Sequence, residues 1–231
     1  MFKINNVNKN YGFQKVLSEI NLEIPQNKLT CIIGPNGAGK STLLNAISRL
    51  IKVDKGDILI DSKNLKDWDK KELSKTLSIM KQLNNINVRL TIADLVAFGR
   101  YPYSEDRLTE NDYQKINEAL EYTGLSSIKD KYIDELSGGQ KQRLALARTI
   151  ITNPEIYIFD EATSNIDVES EEKIWRSIYE LSENKTVIVI SHRLANVKNA
   201  DNIYVLDKGN IVERGTHEEL VEKDGLYAKM Y

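Results

Sequence analysis

Apolar positions follow two regimes along the chain. Three short runs, Leu29-Thr30-Cys31-Ile32-Ile33, Ile156-Tyr157-Ile158-Phe159 and Thr186-Val187-Ile188-Val189-Ile190, are apolar at successive rather than alternate positions, as in strands buried on both faces of a parallel sheet. Residues 2 to 33 alternate between short strands and turns, and Asp57-Ile58-Leu59-Ile60 continues the strand set. From Thr91 the spacing turns helical: Tyr113, Ile116, Ala119 and Leu120 share one face until Gly124 stops the helix. Beyond Asp160 the alternation resumes, with Ile174, Ile178 and Leu181 as a helical stripe and Trp175 beside it as partial core. Thr216-His217-Glu218-Glu219 fits a capping box, Thr216 as N-cap and Glu219 at N3, which leaves His217 a surface role. With no repeat and no low-complexity linker, the pattern predicts a single α/β domain over residues 1–231 with a helical subdomain at about 86–150.

Composition narrows the partners. A chain of 231 residues is long enough for one large core, and its net charge of −2 lacks the basic footprint of a nucleic-acid binder. The single cysteine, Cys31, lies inside an apolar strand, excludes an internal disulfide and fits a reducing cytosol. No apolar run reaches the roughly 18 residues of a membrane span, so a membrane role has to come through a separate partner.

Candidate chemistry starts directly after the first apolar strand. Gly34-Pro35-Asn36-Gly37-Ala38-Gly39-Lys40-Ser41 satisfies G-x-x-x-x-G-K-[ST], and Thr42 leads into the helical run Leu43-Leu44-Asn45-Ala46-Ile47. Glycines there let backbone N–H groups turn around phosphates, Lys40 adds a charge for the β- and γ-phosphates, and the Ser41 hydroxyl can ligate Mg²⁺. A nucleotide with Mg²⁺ is the expected ligand, and the loop alone leaves kinase, GTPase and ATP-driven transport motor open. A second motif, Leu136-Ser137-Gly138-Gly139-Gln140, precedes the helical pattern Lys141 to Arg148. Ser137 can cap that helix, and the paired glycines can let another phosphate approach its start.

Together these motifs resemble the nucleotide-binding subunit of ABC transporters, where LSGGQ follows the phosphate loop by about a hundred residues. The resemblance implies a P-loop NTPase core of mostly parallel sheet with flanking helices, a small antiparallel β subdomain and a helical insert. It implies a head-to-tail dimer in which Ser137, Gly138, Gly139 and Gln140 of one copy close over the nucleotide of the other. Asp160 and Glu161, two acids at the end of an apolar strand, then take the roles of Mg²⁺ holder and base for the attacking water, alongside the phosphate-binding Lys40. His192, just past another strand, matches the histidine that senses the γ-phosphate; Gln82 matches the glutamine that completes Mg²⁺ coordination; Tyr11 sits where an aromatic ring stacks on adenine, core packing being the other reading. Ser164-Asn165-Ile166-Asp167 resembles the loop across the dimer interface, with Asn165 and Ile166 departing from the common Ala-Leu.

Subfamily features divide the chain as a chimera would. Residues 1 to about 145, with Arg89 to Tyr103 and Asp130-Lys131-Tyr132-Ile133-Asp134-Glu135-Leu136, resemble ATPases of catecholate-siderophore importers. From about Asn153, Asp160-Glu161-Ala162-Thr163-Ser164, Ser191-His192-Arg193-Leu194 and Glu213-Arg214-Gly215-Thr216 resemble exporter ATPase domains. Because the insert after Gln82 carries the permease-docking surface in such subunits, the first half decides. The expectation is an ATPase on the cytoplasmic face of the membrane that powers ferric-siderophore import, with a permease and, indirectly, an extracytoplasmic binding protein as partners. An exporter ATPase domain is the alternative. Arg100, beside Pro102, is an expected surface residue of the docking segment.

Overall fold

The computed structural model describes residues 1–81, 89–104, 107–160, 167–191 and 196–230, and the chain divides into two compact units. In chain order the elements are β1 (Phe2–Tyr11), β2 (Gln14–Ile24), β3 (Leu29–Ile33), α1 (Lys40–Ile47), β4 (Lys55–Ile60), β5 (Lys63–Asn64), α2 (Lys70–Thr76) and β6 (Leu77–Met80). They continue with α3 (Ile92–Ala97), α4 (Glu110–Tyr122), α5 (Gly138–Ile150), β7 (Ile156–Asp160), α6 (Val168–Ser182), β8 (Thr186–Ile190), β9 (Asn202–Asp207), β10 (Asn210–Gly215), α7 (His217–Glu222) and α8 (Leu226–Met230). No helix among the described residues is long and apolar enough to cross a membrane.

The first unit, residues 1–69, 158–160 and 179–231, holds two sheets. One is antiparallel, in the order β2-β1-β4-β5. Its strands β1 and β2 are 10 and 11 residues long, not the short segments expected. The register shifts between Ile4 and Asn10, and left-handed Asn6 and Glu19, break the two-residue period and make one long hairpin read as several pieces. The other sheet runs β10-β9-β3-β8-β7 through this unit. Here β3 is parallel to both neighbours, Cys31 lying opposite Val189 of β8 and Ile203 of β9. All five residues of β3 and of β8 are buried, which is why these runs are apolar throughout. Burial pushes the Cys31 thiol far above its ordinary range, so it stays a protonated core side chain. Near the chain end, Thr216 and Glu219 form the expected capping box. His217 is half-buried rather than a surface group: its Nδ1 lies 2.7 Å from the Tyr227 hydroxyl and joins α7 to α8.

The second unit, residues 70–157 and 161–178, centres on a helical core that includes Ile92, Leu95, Leu120, Leu136, Leu144 and Ala147. Its helices start at side-chain caps. Thr91 with Asp94 opens α3 and Thr109 with Asp112 opens α4, each a reciprocal capping box. On α4, Ile116, Ala119 and Leu120 are buried as the spacing requires, but Tyr113 is 52% exposed. The buried position on that turn is Asp112. Its partner overturns the surface reading of Arg100, which is only 8% exposed. Arg100 Nε donates to Asp112 Oδ1 at 2.7 Å, Nη1 donates to the Ile151 carbonyl at 3.2 Å, and the guanidinium lies 4.3 Å from the Tyr103 ring centre. The Thr109 amide and hydroxyl, then Arg100, lower the Asp112 pKa to about 2. A single ion pair thus ties the segment after α3 to the start of α4 and the end of α5. Desolvation penalises a buried charge unless it is paired and hydrogen-bonded; here Asp112 accepts on both oxygens and Arg100 donates twice, a pairing invisible in a linear pattern.

Candidate functional site

In the first unit the phosphate loop spans the turn from β3 into α1. Gly34 leaves β3 with almost no room: a Cβ there would sit 2.0 Å from the Leu206 carbonyl oxygen of β9. Gly39 is the N-cap of α1 with φ of 105°, and no side chain caps the helix. That conformation strongly favours glycine, and the first-turn amides are left for an anion at the positive end of the helix. Lys40 is buried, and its ammonium donates to the carbonyls of Gly34 at 2.8 Å and Pro35 at 3.0 Å, which arches it across the loop. Pro35, Asn36 and Gly37 are exposed, Ala38 is buried, Ser41 is exposed and Thr42 is half-buried.

Support for the loop comes from a turn that sequence reading passed over. The Gly209 amide, between β9 and β10, donates to the Ala38 carbonyl at 2.9 Å, and its own carbonyl accepts from Ser18 of β2 at 2.8 Å. Gly39 and Gly209 both pack on the Val16 carbonyl of β2, where an added Cβ would stand 2.8 Å and 2.4 Å away. The signal was the Asp207-Lys208-Gly209-Asn210 turn between two strands.

Other expected residues of the first unit lie on both of its sheets. Asp160 ends β7 half-buried. Ser191 follows β8, which runs parallel to β3 with Ile190 opposite Ile32, so both strands end on one side. Tyr11 closes β1 opposite Gln14 and is 50% exposed, so its ring does not fill the core, and the Lys9 ammonium lies 5.6 Å from its centre. Glu161, His192 and Gln82, with Ser164, Asn165 and Ile166, lie outside the described residues.

In the second unit, α5 begins at Ser137. Its hydroxyl accepts from the Gln140 amide at 3.2 Å while Gln140 Oε1 accepts from the Ser137 amide at 2.9 Å. These two side chains satisfy each other, and the amides between them belong to Gly138 and Gly139. Ser137 and Gly138 are exposed and Gly139 is buried. A Cβ on Gly139 would meet Ser170 Oγ at 2.5 Å and Asp167 Oδ2 at 3.0 Å. Asp167 accepts the Ser170 amide at 2.8 Å, and that bond lowers its pKa. The missing side chain at Gly139 therefore serves packing within this unit, a reason that motif reading alone did not supply.

The glycine-rich loop before α1 and the glycine-bearing cap of α5 occur together over residues 17–164, which match the family model described as ABC transporter. The chain belongs to the ABC transporter family. It is an ATPase subunit of that family, built on the P-loop NTPase fold. It is 47% identical over 226 residues to the petrobactin import ATP-binding protein YclP of Bacillus subtilis, covering 96% of this chain and 89% of that protein. It is 38% identical, again over 226 residues, to an ATP-dependent lipid A-core flippase of Vibrio vulnificus, covering 93% of this chain but 37% of the flippase. Among solved structures it resembles the dimeric post-hydrolysis state of the cassette MJ0796 bound to ADP and Pi, with a TM-score of 0.84, 30% identity and 94% and 98% of the two chains covered. Cassettes of this family bind ATP, form dimers and work with membrane permease components.

Proposed function

We infer that this ATPase powers import of a ferric siderophore through a permease at the cytoplasmic face of the membrane, supplied by an extracytoplasmic binding protein. The observation that carries the reading is the 47% identity to a petrobactin import ATP-binding protein over nearly the whole chain, against 38% to a flippase. The docking surface falls in the second unit, where Phe98 and Tyr101 are 46% and 69% exposed and their rings meet edge to face. Exposed aromatic pairs of this kind supply contact area at low entropic cost.

Hydrolysis is assigned residue by residue. Residues Gly34 to Thr42 cradle the phosphates, Tyr11 stacks on the base, and Ser137 to Gln140 reach the nucleotide of a second copy in a head-to-tail dimer. Mg²⁺ fits the donors present: the exposed Ser41 hydroxyl and the Asp160 carboxylate both lie in the first unit. Such an ion takes few protein ligands and shares the rest with phosphates and water. Gln82 would complete its shell, Glu161 would take the proton of the attacking water, and His192 would report the γ-phosphate.

Co-expression tests the direction. The chain should co-purify with a ferric-siderophore permease and gain ATPase activity from it, while Glu161→Gln should keep nucleotide binding and lower turnover about 10²- to 10⁴-fold. The exporter reading rests on the flippase match over 93% of the chain and on the exporter-like residues after Asn153. Association with an exporter membrane domain and never with an importer permease would establish it instead.

A further inference from the structure

A cleft of about 580 Å³ in the first unit serves none of the roles above. It lies between the end of α1 and the β4–β5 edge, lined by apolar Ile51, Val53, Ile58 and Leu65 and by charged groups that include Arg49 and Lys52. Its volume is that of a small-molecule site, and its lining is mixed, the apolar side chains standing beside Arg49, Lys52, Asp57, Asn64 and Lys66.

Charge matching selects the ligand. Asp57 lines the cleft, but it is neutralised locally: Asn64 Nδ2 donates to it at 2.6 Å and Lys66 Nζ at 3.3 Å. Arg49 places Nη1 on the Trp68 carbonyl at 2.6 Å. Lys52 is exposed and has no ion-pair or hydrogen-bond partner among the described residues. Neither cation is engaged by the helix end. The Leu44 carbonyl accepts from Ser48, that of Asn45 from Leu50 and Ile51, and that of Ala46 from the Arg49 amide. Arg49 also holds a φ of 58°, a conformation that helix ends usually give to glycine or asparagine. Offsetting the α1 dipole would explain two cations, but it needs neither the cleft nor its apolar lining.

We propose that this cleft binds a small organic anion, a carboxylate on an apolar body about the size of one or two fused rings. Arg49 and Lys52 take the carboxylate, and Ile51 and Val53, the half-buried apolar residues of the lining, take the body. The proposal is independent of the transported substrate and of the permease.

Amide chemical shifts of the protein saturated with Mg-ADP, which keeps the phosphate loop occupied, test it with 1-naphthoate as the probe and acetate and 1-naphthalenemethanol as controls. Naphthoate should shift amides in residues 49–53 and 64–66 saturably, with the alcohol at least tenfold weaker and acetate inert. Lys52→Gln, at an exposed position, should weaken naphthoate about two- to fivefold, and Arg49→Gln about tenfold. If naphthoate gives no saturable shift in these residues, if it binds Lys52→Gln and Arg49→Gln as tightly as wild type, or if the alcohol binds wild type as tightly as the acid, the proposal is overturned.

Discussion

Two helices start at glycine-bearing motifs, α1 in the first unit and α5 in the second, and their N-termini are finished in opposite ways. Glycine opens α1 with no side chain over it, whereas Ser137 and Gln140 close α5 on each other in a capping box. An uncapped helix start costs stability that a bound anion can return, and the start of α1 is the one left open to such a ligand. With its cap already supplied, α5 keeps only the Gly138 and Gly139 amides between the paired side chains. The close-packed glycines differ in the same sense: Gly34 faces the backbone of Leu206, while Gly139 faces the side chains of Ser170 and Asp167.

The largest effect should come from the second unit's buried pair. Arg100→Glu would face Asp112 with a like charge out of water, a loss of about 3–5 kcal/mol, and thermal unfolding of the purified chain would read it. An unchanged melting temperature would mean that the pair does not hold the segment after α3 to α4. The same pair gives a pH dependence. Because the Asp112 pKa is lowered to about 2 in the folded chain, its stabilisation is complete above the ordinary carboxylate range and is lost as pH falls toward 2. Asp112→Asn should flatten that part of the profile.

Gly34→Ala comes next. Its Cβ would sit 2.0 Å from a carbonyl oxygen that cannot move without its strand, so the variant should lose about 3 kcal/mol together with ATP binding. Gly139→Ala should cost less, about 1–2 kcal/mol, because a serine side chain can give way. Adding Ser170→Ala should recover part of the loss, and no recovery would place the strain elsewhere. Smallest of the set, Ser137→Ala should remove about 1 kcal/mol as a lost N-cap, whereas α1 has no side-chain cap to delete.

How legible each end was follows from its physics. The α1 loop could be read from sequence because backbone geometry dictates its glycines and chemistry dictates Lys40 and Ser41, all within eight consecutive residues. Buried strands announced themselves by unbroken apolar runs, and the cap of α5 by Ser137, while the return bond from Gln140 came only with the structure. The supports were not legible. Gly209 reaches Ala38 from far along the chain, Arg100 meets Asp112 across a turn, and Ser170 backs Gly139 from the next helix. Such pairings are set by tertiary contact, and an arginine beside a proline turn looks like a surface group until its partner is seen. The β1–β2 hairpin read as short strands for a related reason, since its bulges erase the alternation by which a strand is recognised.

The central claim is that the bare start of α1, and not the capped start of α5, is the primary phosphate site of a single copy. Amide chemical shifts on adding Mg-ADP to dilute protein test it most directly. The amides of Gly37 to Thr42 should move first and together, with the response abolished in Lys40→Ala and with Gly138 and Gly139 unmoved. Shifts at Gly138 and Gly139 with the α1 loop unchanged would contradict the account.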